Sequence, residues 1–385
     1  MAKGKIDDLF KGLKGFCQKG AEIESPGNIP TGHFNLDFII QYGEDPARVD
    51  LNTLEGYDPK TALGIPLGTL VEIYGEPGGG KSSLAYRICG YAQKLGHIPA
   101  WIDCEYSFQK NLAHINGMKI GQNDVIFSNM TNPENPDEVF YGEDALDIMQ
   151  VMMKNGVKVI ILDSVANLIP KALWEAKTEK EFMGLLPRLL GKSMGKLMSH
   201  AERYGVLLVF INQLREKIGV SWGDNRTSPG GHSLHHNASL RLRVDKRVAQ
   251  SNDIYVPHPE TGDDMLIGKF SSVTLVKNRH AKPYNTSLEV PIYYESYFPE
   301  IDDIAFDTGR QIKLISVRKG IFKWGEIKIE GRKNFINQLK KEKLLDSLID
   351  EIKNCAFEQD LLLPPEIFLY EPKNQKKAKK TEALV

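Results

Sequence analysis

Only four cysteines, Cys17, Cys89, Cys104 and Cys355, occur in 385 residues, and no two of them form a C-x-x-C pair. That scarcity argues against a zinc module, a disulfide framework or export. No apolar run approaches the roughly 18 residues a membrane helix needs, and no secretory leader is visible, so no membrane contact and a cytoplasmic location are expected. Net charge is missing as well: 49 Lys and Arg stand against 50 Asp and Glu, a formal balance of −1. Any affinity for nucleic acid must therefore come from local basic patches rather than a global field. Internal repeats are absent too. With 41% hydrophobic and 26% charged residues, the chain reads as a soluble globular protein, long enough for a large core and small flanking units.

Against these absences stands one dense motif. Gly75 to Ser82 read GEPGGGKS, a complete G-x-x-x-x-G-K-S phosphate loop, after the strand-like run Leu70, Val71, Ile73, Tyr74 and before the helical run Leu84, Ala85, Ile88, Cys89. Gly75, Gly78, Gly79 and Gly80 let backbone N–H groups converge on phosphate oxygens, with the dipole of the following helix aimed at the same point. Lys81 supplies a point charge to the β and γ phosphates and Ser82 a hydroxyl to Mg²⁺. The nucleotide site is thus expected to comprise Gly75, Glu76, Pro77, Gly78, Gly79, Gly80, Lys81, Ser82 and Ser83, with ATP and Mg²⁺ as cofactors. The alternative is a glycine-rich turn that matches by accident, and its strand and helix flanks oppose it.

Around this motif the chain divides into four stretches. Ile6, Leu9, Phe10, Leu13 and Phe16 recur at helical spacing, so residues 1–27 are expected to hold an amphipathic oligomerisation helix. A core is expected over 28–305, interrupted by a polar, acidic loop or insertion at 41–62. Within it, strands expected at 70–74, 99–102, 125–128, 157–162 and 206–211 alternate with helices starting near Ser82, Gly142 and Met183. That alternation predicts an α/β fold with a mostly parallel sheet between helices. Three later strands, 239–244, 271–277 and 287–293, follow without helices and suggest an antiparallel extension. Residues 306–370 are expected to form a small C-terminal unit, helical from Arg332, and 371–385, with five lysines, a disordered basic tail.

Three polar groups fall at the ends of apolar strands. Asp163 follows Val159 to Leu162, where a P-loop enzyme holds Mg²⁺; a helix cap is the alternative. Glu105 follows the strand at Ala100 to Ile102 and can activate water, although by itself it could equally be a surface ion-pairing residue. Gln213 follows Asn212, and its amide can sense a γ-phosphate. Residues 215–232 then read REKIGVSWGDNRTSPGGH: basic ends, apolar Ile218, Val220 and Trp222, and a Gly230–Gly231 hinge. Such a loop suits contact with unstacked bases; the alternative folds Trp222 back onto its own domain. His232, His235 and His236 could suggest a metal, but adjacent histidines point to different helix faces.

Taken together, GIPLGTLVEIYGEPGGGKSSL, WIDCE, VIILDSVANLIPKA, MGLLPRLLGKSMGKL, LVFINQLREKIGVSWG, GGHSLHHNASLRLRVDKR and TLVKNRHAKPY resemble bacterial RecA recombinases and their phage-encoded relatives over roughly Asn28 to Ala305. The resemblance implies a RecA-type core and an ATP-dependent helical homo-oligomeric filament on single-stranded DNA, which pairs it with double-stranded DNA and exchanges strands. It implies catalytic roles for Lys81, Glu105 and Gln213, and Mg²⁺ contacts at Ser82 and Asp163. It also implies a first DNA loop over 175–184 with Met183 and Gly184, and a phosphate contact at Arg188. A second DNA loop follows with Arg215, Ile218, Trp222, Arg226, Gly230 and Gly231. Lys277 and Arg279 take the place of paired cations that reach the neighbouring subunit's ATP, and Tyr294 would flank the base. This chain departs from the family pattern at Leu112, Gln109, Gly195, His235 and His236, in the 41–62 insertion and in its basic tail. Two other classes share such a core, a hexameric helicase motor and a non-catalytic DNA-binding filament; ring imaging and an ATPase assay separate them.

Overall fold

The protein is described by a computed structural model covering residues 27–44, 63–132, 134–135, 137–175, 184–216, 226–257, 264–282, 287–294, 301–311, 313–318 and 320–358. The expected N-terminal helix, most of the insertion and the basic tail lie outside the described residues.

A short ladder joins β1 (Asn28–Ile29) to β2 (Ile65–Pro66), with α1 (Phe34–Tyr42) between them in sequence. Helix α1 takes in Gln41 and Tyr42, the first two residues of the expected loop, and stops at Gly43 in the left-handed region at φ 67°. The core then runs β3 (Leu70–Gly75), α2 (Lys81–Lys94), β4 (Pro99–Asp103), α3 (Lys110–Ile115), β5 (Ile126–Ser128), α4 (Gly142–Lys154) and β6 (Val159–Asp163). It continues with α5 (Lys171–Trp174), α6 (Leu185–Tyr204), β7 (Leu207–Gln213), β8 (Arg215–Glu216), β9 (Arg226–Thr227), α7 (Gly231–Asn237) and β10 (Leu240–Asp245). Strands β11 (Asp253–Pro257), β12 (Asp264–Asn278) and β13 (Ser287–Tyr293) follow.

Among the described residues the main sheet has nine strands. Six are parallel in the order β10-β3-β7-β6-β4-β5, and β12, antiparallel to β10, carries β11 and β13. The expected antiparallel extension therefore begins one strand late, because β10 enters the sheet through α7 and lies parallel to β3. The runs Val159 to Leu162 of β6 and Leu207 to Ile211 of β7 are unbroken and apolar because both faces are covered. On one face Val159, Ile161, Leu207, Val209 and Ile211 pack against Leu84, Ala85 and Ile88 of α2. The intervening residues Ile160, Leu162, Leu208 and Phe210 pack against Leu146 and Met149 of α4 and Leu190, Met194 and Leu197 of α6. Period-two alternation thus feeds two helical layers from one strand set.

A separate cluster, with Phe306, Phe322, Trp324, Phe335, Leu339, Leu348 and Ile352 buried, organises the C-terminal elements. They are α8 (Ile301–Gln311), β14 (Ser316–Arg318), β15 (Ile321–Trp324), β16 (Ile327–Glu330), α9 (Arg332–Glu342) and α10 (Leu345–Glu358). Their sheet is antiparallel and three-stranded. Trp324 donates from Nε1 to Glu351 at 2.6 Å, joining sheet to helix.

Candidate nucleotide site and nucleic-acid interface

Neighbouring parallel strands β3, β7, β6 and β4 end on one edge of the sheet. Register brings their ends together: Gly75 pairs with Gln213 and Asp103 with Asp163, while Asp163 pairs with Ile211, two residues before the end of β7. The phosphate loop rises from Gly75 and leads into α2. Its glycines are required by crowding: an added Cβ would lie 2.0 Å from Val244 O at Gly75, 2.8 Å from the same oxygen at Gly79, and 2.6 Å from Ile292 at Gly80. Gly80 also sits at φ 97°, a region that disfavours any side chain. Strands β10 and β13 therefore crowd against the loop. Near it lies a cation that the sequence reading passed over, Lys246, whose Nζ is 4.0 Å from where a Gly78 Cβ would stand. Only its place just after β10 could have signalled it.

Lys81 folds back over this loop, donating from Nζ to Gly75 O at 3.1 Å and Glu76 O at 2.9 Å. Burial lowers its pKa, while the carboxylates of Asp163, Glu105 and Glu76 oppose that shift. Ser82 Oγ donates to Asp163 Oδ2 at 3.1 Å, so a hydroxyl and a carboxylate from two elements already adjoin. This is a hard-oxygen pair that suits Mg²⁺, which completes its shell with phosphate oxygens and water. Burial first, and the neighbouring Glu105 carboxylate second, push the Asp163 carboxyl up to about 7. A cation at that point would favour the ionised form.

Glu105 is set by a turn the sequence reading did not isolate. The buried carboxylate of Asp103 accepts the backbone N–H groups of Glu105 at 3.2 Å, Ser107 at 3.2 Å and Phe108 at 3.0 Å. Cys104 and Glu105 also donate their N–H groups to Asp163 O. An Asp at a strand end that turns the chain two to five residues on is the signal that could have revealed it. Glu105 then accepts from Gln213 Nε2 at 3.0 Å, so the expected water-activating and phosphate-sensing groups touch each other.

Nearby, Leu112 packs partly buried against the sheet core and the Gln109 N–H donates to Tyr86 Oη at 3.2 Å. Tyr294 follows the end of β13. Its backbone bonds Ile267 O, and its hydroxyl is raised by burial first, with Lys269 and Asp253 of the antiparallel extension as its charged neighbours. Its neighbour Tyr293 instead lies 5.9 Å under the guanidinium of Arg87 in α2. Lys277 and Arg279 are bonded to the end of α7. Lys277 donates to His235 O at 2.7 Å and His236 O at 3.0 Å, and Arg279 to His236 O at 2.6 Å, holding the last carbonyls of α7. The rings of His232 and His236 lie one turn apart on α7, tilted at 31° with centroids 6.1 Å apart, and no group of three or more metal-binding side chains occurs among the described residues.

Of the expected DNA-contacting residues, Met183, Ile218 and Trp222 lie outside the described residues. Their anchors do not. Arg215 pairs with Thr227 and Glu216 with Arg226 in a two-residue antiparallel ladder that closes the base of the second loop. The first loop ends at Gly184, in left-handed geometry at φ 92°, where α6 begins. A Cβ on Gly230 would meet Leu190 at 2.9 Å and one on Gly231 would meet Pro187 at 3.0 Å, so the end of the second loop packs on the start of α6. Both loops thus open from one place. Arg188 is exposed there, and the exposed Lys192 and Lys196, which the sequence reading missed, continue its face at four-residue intervals.

Comparison with known proteins agrees with this geometry. Residues 35–298 match the family described as RecA N-terminal domain. Protein RecA of Geobacter metallireducens is 32% identical over 362 residues, covering 93% of each chain. Protein RecA of Chlamydia trachomatis is 33% identical over 332 residues, covering 84% of this chain and 87% of its own. Protein RecA of Clostridium perfringens is 30% identical over 344 residues, covering 88% and 85%. A phosphate loop, an acid pair and a glutamine on one sheet edge, within a match of this length, place the chain in the RecA family of recombinases.

Proposed function

We propose that the chain is an ATP- and single-stranded-DNA-dependent recombinase, a DNA-dependent ATPase that assembles head to tail into a helical filament and exchanges strands with double-stranded DNA. The observation that carries this reading is the 3.0 Å bond between Gln213 and Glu105, because Gln213 ends the strand that runs straight into the ladder at the base of the second loop. A γ-phosphate arriving there competes for the Gln213 amide and releases Glu105 to orient a water. Residues 75–83 bind the phosphates, Lys81 leaves its loop carbonyls to meet them, and Ser82 with Asp163 holds Mg²⁺. Held there, Mg²⁺ would supply neutralisation of the charge on the transferred phosphoryl group.

Lys277 and Arg279 act on the neighbouring subunit's nucleotide, since their own chain holds them against α7. A head-to-tail contact of that kind does not close on itself and gives a filament. DNA lies along the exposed face of α6, over Arg188, Lys192 and Lys196, between the two loops. No helix among the described residues is long and apolar enough to cross a membrane, and the proposed location is the cytoplasm. Electron microscopy with ATP, Mg²⁺ and single-stranded DNA tests the assembly: open helical filaments are expected, and closed rings would overturn it.

A further inference from the structure

A single buried carboxylate ties the second loop to the nucleotide edge. Glu72, in the middle of β3, is fully buried. Its Oε1 accepts from Asn212 Nδ2 at 3.0 Å and from Ser228 Oγ at 2.7 Å, and its Oε2 accepts from Arg241 Nε at 2.6 Å. His235 Nε2 stands 3.9 Å from Oε2 and 2.9 Å from Ser228 Oγ. Since Ser228 has one proton and gives it to the carboxylate, His235 is the donor in that second contact. Four elements therefore meet on one side chain: β7, β10, the segment leaving the second loop, and α7.

Asn212 extends the connection in both directions. Its amide also donates to Pro229 O at 2.7 Å, and its Oδ1 accepts the backbone N–H of Gln213 at 3.0 Å. The Gln213 side chain reaches Glu105. A continuous path of hydrogen bonds thus runs from the nucleotide edge through Asn212 to both Glu72 and the Pro229 carbonyl, next to the Gly230–Gly231 hinge. Arg241 neutralises the carboxylate and lies 4.6 Å from the Tyr74 ring, in the residue before Gly75. A buried acid with every oxygen engaged has few alternative arrangements, so displacing Asn212 must displace Ser228 or leave a donor unpaired.

We infer that Glu72 is a positioning residue, a shared anchor that makes the 226–231 segment follow the state of Gln213. The inference rests on reading Gln213 as the phosphate-sensing group, and it assigns Glu72, Asn212 and Ser228 to the coupling between nucleotide and loop rather than to either binding event.

Hydrogen–deuterium exchange of residues 226–237 in the full-length protein, with and without a non-hydrolysable ATP analogue and Mg²⁺ and with no DNA present, tests it. In the unsubstituted protein the analogue should change exchange of this segment by about fivefold or more. Glu72→Gln should remove that change while the analogue's Kd moves by less than about twofold. If Glu72→Gln fails to give a cooperative thermal melt, Ser228→Ala carries the test: it should remove the change, and Ser228→Thr should restore it. The inference is overturned if the analogue leaves the segment unchanged in the unsubstituted protein, or if folded Glu72→Gln or Ser228→Ala keeps the full response. It is equally overturned if analogue affinity collapses along with the response, since the network would then only hold the sheet together. DNA is absent from the assay, so failure of the recombinase reading shows up separately, as turnover that ignores DNA.

Discussion

Lys81, Ser82, Asp163, Glu105 and Gln213 converge because four strands, β3, β6, β4 and β7, end at one sheet edge. Lys81→Ala should abolish ATP hydrolysis, measured as phosphate release, since Lys81 is the cation that the loop's own carbonyls of Gly75 and Glu76 hold over it. Arg241→Ala would leave Glu72 buried without its cation and should lower unfolding stability by about 3–5 kcal/mol, read from the urea midpoint. His33 makes a pH prediction. Its Nε2 is buried without a hydrogen-bond partner among the described residues, and burial, then Arg87, lower its pKa well below 6.5. The unfolded chain therefore takes up a proton before the folded one does. The neutral-histidine contribution is complete above about 6.5 and is lost as pH falls from there toward the folded value. Melting temperature should fall over that window, and His33→Phe should flatten the fall. At this scale the phosphate loop and the strand-end Asp163, Glu105 and Gln213 were legible, because motif spacing and an apolar run ending in a polar group are local signals. Asp103 and Glu72 were not, because their roles depend on backbone N–H groups and on residues up to 169 positions away.

Among the elements, α6 carries most of what local pattern reading could and could not supply. Its buried face, Leu189, Leu190, Met194, Leu197 and Ala201, recurs at helical spacing and announces the helix from sequence. Its exposed face holds Gly191 and Gly195, where an added Cβ would meet nothing within 4 Å. Each Gly→Ala change there should therefore stabilise the protein by about 1 kcal/mol in denaturant unfolding. Lys192→Ala and Lys196→Ala should each flatten the dependence of log K for single-stranded DNA on log salt by about 0.7. That cationic face escaped the sequence reading because Lys192 and Lys196 belong to no motif and share a face with Arg188 only once α6 has formed. Strand β10 was expected to start an antiparallel run. Nothing in its own residues says that α7, only seven residues long, is enough to return the chain parallel to β3.

For the whole molecule, the alternation of strands and helices set the fold class, and a sheet buried on both faces explains why so many central residues are apolar. In the proposed filament the charge around one chain's nucleotide is completed by Lys277 and Arg279 of the neighbouring copy, which within their own chain are engaged with the carbonyls of α7. Hydrolysis should therefore depend on assembly. In the second loop, Trp222→Ala should weaken strand exchange more than ATP binding, by the roughly 1–3 kcal/mol per base that stacking supplies. The most direct measurement of the account is the steady-state rate of ATP hydrolysis as single-stranded DNA is titrated at saturating ATP and Mg²⁺. The account predicts a rate that is low without DNA and rises steeply to a plateau as DNA is added. A rate that is unchanged by DNA, or no hydrolysis at any DNA concentration, would contradict it.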